Sequence, residues 1–118
     1  MSTIFSRFLR TPGGRDGTTG AVQAVWRGAV LARSERTRIV EGNHYFPPED
    51  VNREYLEPSG RRSACPWKGV AGYYDVVVGE ERNSAAAWYY PHPKPAAAEI
   101  ADHVAFWHGV KVQRVPAS

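Results

Sequence analysis

From Ala21 onward, apolar residues recur at every second position, and a turn signal breaks the pattern every few residues. This alternation constrains the fold more than any other feature, because a period of two lines one face of a strand and cannot line one face of a helix. "AVQAVWRGAVLARS" sets Val22, Ala24 and Trp26 on one face, turns at Arg27-Gly28 and continues into Val30 and Ala32, which predicts a hairpin. "TRIVEGNHYF" repeats the device, with Gly42-Asn43 as the expected turn between residues 37–41 and 44–46. "PPEDVNREYL" interrupts it: Pro48 suits a first helical position and Glu49 and Asp50 suit its positive end, so a turn or two of helix is expected.

"LEPSGRRS" reads as a loop. Strand alternation then resumes, with Val70, Gly72, Tyr74, Val76 and Val78 on one face and Ala71, Tyr73, Asp75 and Val77 on the other. "GEERN" is the next expected turn, and in "SAAAWYY" the residues Ala86, Trp88 and Tyr90 should line one side. Pro95 opens a second short helix, followed by "HVAFW", a turn at Gly109 and a last strand "VKVQRV". About eight to ten short strands are too many for one small open sheet, so the expected fold is mainly β: a compact, barrel-like folded sheet of short antiparallel strands with one or two short helices.

A chain of 118 residues should hold one core. Composition shifts at Pro12, so residues 1–20 read as an N-terminal tail and residues 21–118 as a single β domain. Ile4, Phe5, Phe8 and Leu9 form a short apolar stripe in the tail, a candidate contact for a homo-oligomer. No apolar run approaches the roughly 18 residues of a membrane span, and the single Cys65 precludes an internal disulfide, so a cytoplasmic setting is expected. The net charge of +3 is spread from Arg7 to Arg114, which argues against nucleic acid as the partner. Arg33, Arg36 and Arg38 read as a solvated hairpin tip.

No metal or other cofactor is expected. His44, His92, His103 and His108 lack metal-ligand spacing, and no second cysteine completes a zinc site. G-x-S-x-G, Ser-x-x-Lys and P-loop patterns are missing. Cys65, followed by Pro66, reads as a small packed side chain at a strand entrance. What remains is a set of polar groups among aromatics: Glu41, Tyr45, Asp50, Lys68, Tyr73, Tyr74, Trp88 and Tyr90. Converging on one cavity, a carboxylate with apolar neighbours would have a raised pKa and serve as acid or base. Glu41, Lys68 and Tyr45 are the expected catalytic group, with Lys68 holding an anion; Tyr74, Trp88, Tyr90, Trp67 and Asp50 are the expected substrate-binding residues. The competing expectation is a structural ion pair of Glu41 with Lys68 and an ordinary aromatic core.

The blocks "GAVLARSERTRIVEGNHYFPPEDV", "CPWKGVAGYYDV", "AAWYYPHP" and "HVAFW", in this order, resemble the domain-of-unknown-function family numbered four-two-seven, also labelled nucleotidyltransferase-like. The resemblance runs from about Val22 to Val115, and its most specific parts are Y-F-P-x-x-D-V at residues 45–51 and C-P-W-K-G at residues 65–69. It implies a tent-like or Mss4-like β fold whose sheets meet around a cleft. Relatives of that broader fold use paired cysteines for zinc; this chain has no such pair, so the resemblance implies a metal-free cleft lined by Glu41, Tyr45, Asp50, Lys68, Tyr74, Trp88 and Tyr90. Nucleotidyl transfer is not expected, since it needs clustered carboxylates for Mg²⁺ and no Asp-x-Asp or Asp-x-Glu pair occurs. The expected function is binding of a small organic molecule, with metal-free isomerase, cyclase or hydrolase chemistry as its catalytic form. The alternative is a non-catalytic protein-interaction module using sheet edges or the tail.

Overall fold

A computed structural model of the chain describes residues 18–116. The apolar stripe of the tail, and with it the expected oligomer contact, lies outside the described residues.

Two hairpins follow from X-Gly pairs. β1 (Thr18–Trp26) and β2 (Ala29–Ser34) join through Arg27 (φ 51) and Gly28 (φ 80). Two left-handed residues in a two-residue loop twist with the strands, which is why such turns close hairpins. β1 begins three residues ahead of the expected boundary at Ala21, with Thr18 opposite Pro116. A bulge corrects the expected facing of β2: Ala24 lies opposite Ala32 and Val25 opposite Val30, leaving Leu31 unpaired. Leu31 and Ala32 are therefore both buried, while Val30 is exposed.

β3 (Arg38–Val40) and β4 (Asn43–Tyr45) turn at Glu41-Gly42, with φ of 55 and 81 and Val40 opposite Asn43. The turn comes one residue earlier than the expected Gly42-Asn43. Glycine occupies its second position, as Gly28 does in the first hairpin, and Glu41 moves from a strand end onto the turn itself. The arginines beside this hairpin are exposed but paired: Arg36 with Glu49 at 2.8 Å and Asp50 at 3.4 Å, Arg38 with Glu99 at 3.7 Å.

The expected loop "LEPSGRRS" is instead most of β5 (Leu56–Cys65). It is the edge of the sheet β5-β6-β7-β8, where Pro58 forfeits no essential ladder bond and polar side chains face water. Between Ser59 and Arg62 its register with β6 (Gly69–Val78) slips, leaving Gly60 and Arg61 unpaired. β7 (Glu81–Tyr89) likewise starts inside the expected turn "GEERN": the link is only Gly79-Glu80, with Val78 opposite Glu81. A larger bulge sets residues 84–86 against Asp75, and Asp75 Oδ1 accepts the Ala85 N–H at 2.8 Å. This bulge parts Ala86 from Trp88 and Tyr90, which were expected to share its side.

β8 (Val104–Phe106) completes this sheet, and β9 (Lys111–Pro116) joins β1 in a second sheet of order β2-β1-β9. The expected helical pieces are short 3-10 turns at Pro48–Asp50, Arg53–Tyr55 and Pro95–Ile100. The chain is thus mainly β, with antiparallel strand pairing throughout its named ladders.

Two cores result. One packs Val22, Ala24 and Leu31 against Val76, Ala86, Ala87, Val104 and Phe106, between the three- and four-stranded sheets. The other joins Tyr45, Ala71, Tyr73, Tyr90, Ile100 and Ala105 on the opposite face of the four-stranded sheet. That sheet is covered on both sides, and β6 serves both: Val76 faces one core, Ala71 and Tyr73 the other. Successive residues of β4 and its continuation divide the same way, Tyr45 entering the second core and Phe46 the first. Each fully buried large side chain of this kind contributes about 1.5–3 kcal/mol by leaving water. Phe46 and Val104 exchange backbone hydrogen bonds at 2.8 and 2.9 Å, which fastens the β3–β4 hairpin to the sheet.

Candidate functional site: an aromatic cleft over a buried lysine

Where the β3–β4 hairpin meets the second core, a cleft of about 270 Å³ opens between Glu41, Asn43 and Tyr45 on the hairpin and Lys68, Tyr73, Trp88, Tyr90 and Trp107 on the sheet side. Lys68 is placed by the short link from β5 to β6, in which Cys65 lies opposite Gly69. Gly69 has φ +118, and a β-carbon there would come within 3.3 Å of the His92 carbonyl. The proline-rich strap after β7 thereby lies close against this link. Its Lys94 N–H donates to the Lys68 carbonyl at 2.9 Å, and Lys94 Nζ donates to the Pro66 carbonyl at 2.6 Å. Both ends of the Lys68 backbone segment are held, so its side chain is directed into the cleft rather than along the surface.

The Lys68 side chain is 7% exposed, very low for a lysine. Its ammonium donates to Glu41 Oε1, while Trp67 Nε1 donates to Glu41 Oε2 at 3.2 Å. The same ammonium lies 5.2 Å from the Trp67 ring centre and 5.7 Å from that of Tyr90, within range of cation–π attraction. Trp88 Nε1 donates to the Tyr45 hydroxyl at 3.1 Å, and the two rings meet edge to face. Trp107 packs edge-on to Trp88 with centroids 5.3 Å apart, anchored by its Nε1 donating to the Ala85 carbonyl at 2.6 Å. The Arg61 guanidinium, on the unpaired excursion of β5, covers Tyr73 at 4.9 Å and Trp107 at 5.8 Å.

Protonation follows from these contacts. Hydrogen bonds from Lys68 and then Trp67 hold the Glu41 carboxyl below the usual glutamate range. Burial works against the charge on Lys68, but the hydrogen bond to Glu41 and the fields of Tyr45, Tyr90 and Cys65 outweigh it, and its pKa stands above the ordinary lysine value. Burial raises both Tyr45 and Tyr90. Near neutral pH the cleft therefore presents the Lys68 ammonium and the Glu41 carboxylate beside the neutral phenols of Tyr45 and Tyr90. The expectation that Glu41 would have a raised pKa fails here, because its side chain is half exposed and ion-paired instead of lying among apolar groups.

Of the residues expected from sequence, Glu41, Tyr45, Lys68, Trp88 and Tyr90 come together, and Trp67, 40% exposed, donates to Glu41 from beside them. Tyr74 does not join them. It follows Tyr73 on β6, so it faces the first core, where it stacks on Tyr89 at 4.6 Å and its hydroxyl accepts from Arg53 at 3.0 Å. Asp50 is also elsewhere, bound to Arg36. Sequence reasoning missed Asn43 and Trp107 as cleft residues and left Tyr73 in the wider set only. The shifted hairpin turn hid Asn43, while Trp107 stands at the end of β8 just before a turn, where period two gives no facing. Cys65 is half-buried and packs on the second core, but as the last residue of β5 and not at the expected strand entrance. Among the described residues, no three His, Cys, Asp or Glu side chains are grouped to hold a metal ion, and no helix is long and apolar enough to cross a membrane.

Fold and cleft define a mainly β domain with an aromatic-walled recess closed at one end by an ion pair. Residues 16–116 match the family described as a domain of unknown function (DUF427), and the chain belongs to that family. No curated protein matches it.

Proposed function

We propose that the domain binds a small organic anion in this cleft. One observation carries the reading: a nearly buried ammonium, Lys68, faces a recess walled by tyrosine and tryptophan, the combination of few polar anchors and apolar walls typical of ligand sites. A buried lysine is costly to keep without a use for its charge, and the described structure neutralises it with a single half-exposed carboxylate. Binding is better supported than acid–base turnover, since Glu41 is held ionised and Lys68 protonated.

The test is a thermal-shift screen of the purified chain against organic acids, sugars, amines and nucleotides. A ligand of the folded state raises the melting temperature, by about 2.7 kcal/mol of added stability at a hundredfold excess over Kd. The expected result is a hit among organic acids that disappears in Lys68→Met. Silence across the screen, or a hit indifferent to Lys68→Met, overturns the reading.

A further inference from the structure

The ion pair in the cleft is lopsided. The Lys68 side chain is 7% exposed and that of Glu41 51%. Glu41 sits on a two-residue turn between strands of three residues each, and its carboxylate spans two donors, Oε1 on Lys68 Nζ and Oε2 on Trp67 Nε1. If the pair opens, the carboxylate can pass into water at little cost, whereas the ammonium under the Trp67 and Tyr90 rings cannot follow. Whatever opens the pair must therefore bring an anion of its own to Lys68.

The geometry points to Glu41 as an internal stand-in for the ligand: its carboxylate occupies the anion subsite, and the true ligand is an aromatic carboxylic acid whose carboxylate takes over Lys68 Nζ and Trp67 Nε1. This rests on the small-molecule reading above and adds the ligand class and the competitor. Two side-chain donors bridged by the two oxygens of one planar group suit a carboxylate. A phosphate, with more charge and more oxygens, is ordinarily met by arginine forks or clustered backbone N–H groups. The ring is called for by the walls, where the aromatic side chains of Tyr73, Trp88 and Trp107 line the cleft that also holds the pair. Size agrees as well. A cavity of about 150 Å³ accepts benzene, so about 270 Å³ takes one ring or two fused rings with an acid substituent. Arg61, over Tyr73 and Trp107 and without an acidic partner among the described residues, offsets the second negative charge that the ligand introduces.

The experiment is a titration of the full chain, followed by NMR, with benzoate and naphthoate as probes and benzamide as the neutral counterpart of benzoate. Wild type is compared with Glu41→Asn, Glu41→Gln and Lys68→Met. Asparagine before glycine is the favoured pair for this kind of turn, so Glu41→Asn removes the competitor while keeping the hairpin. Glu41→Gln keeps the side-chain shape and removes only the charge. The expected result is benzoate binding about tenfold tighter in Glu41→Asn, a difference of about 1.4 kcal/mol. Glu41→Gln should shift in the same direction, Lys68→Met should lose binding, and benzamide should not distinguish wild type from Glu41→Asn. Equal benzoate affinity in wild type and both Glu41 variants overturns the inference, as does binding that survives Lys68→Met, or no binding of either acid by any folded form. A Lys68-dependent hit in the metabolite screen that carries no carboxylate overturns this inference and leaves the small-molecule reading standing; silence in that screen and in these titrations removes both.

Discussion

Glu41 is a charged residue at φ 55, in a turn position that glycine or asparagine occupies more easily, with its side chain reaching across to another element. Its partner explains the choice of side chain, because a lysine as buried as Lys68 needs a countercharge wherever the backbone can supply one. The pair predicts a pH response whose sign can be worked out. Glu41 has its folded-state pKa lowered, so its contribution is fully present above the unfolded value of about 4.3 and is lost as pH falls through the folded value. Lys68 has its folded-state pKa raised, so its contribution is present below about 10.4 and is lost as pH rises through the folded value. Thermal unfolding should therefore show wild type more stable than Glu41→Gln near neutral pH, with the gap closing under acid; a gap that persists unchanged at low pH would show that the carboxylate is not ion-paired in solution. The residue types of the pair were legible in the sequence. Their protonation was not, because it depends on how far each is covered by residues distant in the chain.

At the scale of elements, the local turn chemistry was readable and the bulges were not. Arg27-Gly28 announced its hairpin, and Glu41-Gly42 closes the second with the same X-Gly pair, one residue before the expected turn. β5 was hidden because an edge strand with one wet face and a proline shows no apolar alternation. In the bulge of β7, Asp75 Oδ1 accepts the Ala85 N–H, while Trp107 Nε1 donates to the Ala85 carbonyl. Asp75→Ala should leave the Ala85 N–H unsatisfied and lower the free energy of unfolding in urea by about 1–3 kcal/mol. Because the bulge also sets the facing of Trp88 and Tyr90, this variant should weaken any ligand of the cleft together with stability. Arg82, which bridges Asp75 and Glu57 at 2.8 Å each, is exposed and should matter less.

At the scale of the whole molecule, the four-stranded sheet has a core on each face, and the short β3–β4 hairpin is attached through Tyr45, Phe46 and the Glu41 contacts to Lys68 and Trp67. Hydrogen exchange should accordingly be slowest in the central strands β6 and β7 and much faster at the edge strand β5 and in the hairpin that carries Glu41. Uniform protection across hairpin and sheet would mean that the hairpin does not open separately, and the exchange of Glu41 for a ligand carboxylate would then need a different route. The sequence by itself determined the β class, the Arg27-Gly28 hairpin, the presence of a second hairpin one residue off its turn, and the membership of Glu41, Tyr45, Lys68, Trp88 and Tyr90 in a polar-aromatic set, because strand period and turn preference act over a few neighbouring residues. Only the tertiary structure decided that Tyr73 and not Tyr74 faces the cleft, that Asp50 stands apart with Arg36, and that Glu41 is half exposed and paired with a buried Lys68. Those outcomes depend on which sheet face each core covers and on bulges that shift the register, and both are set by packing between segments far apart in the chain.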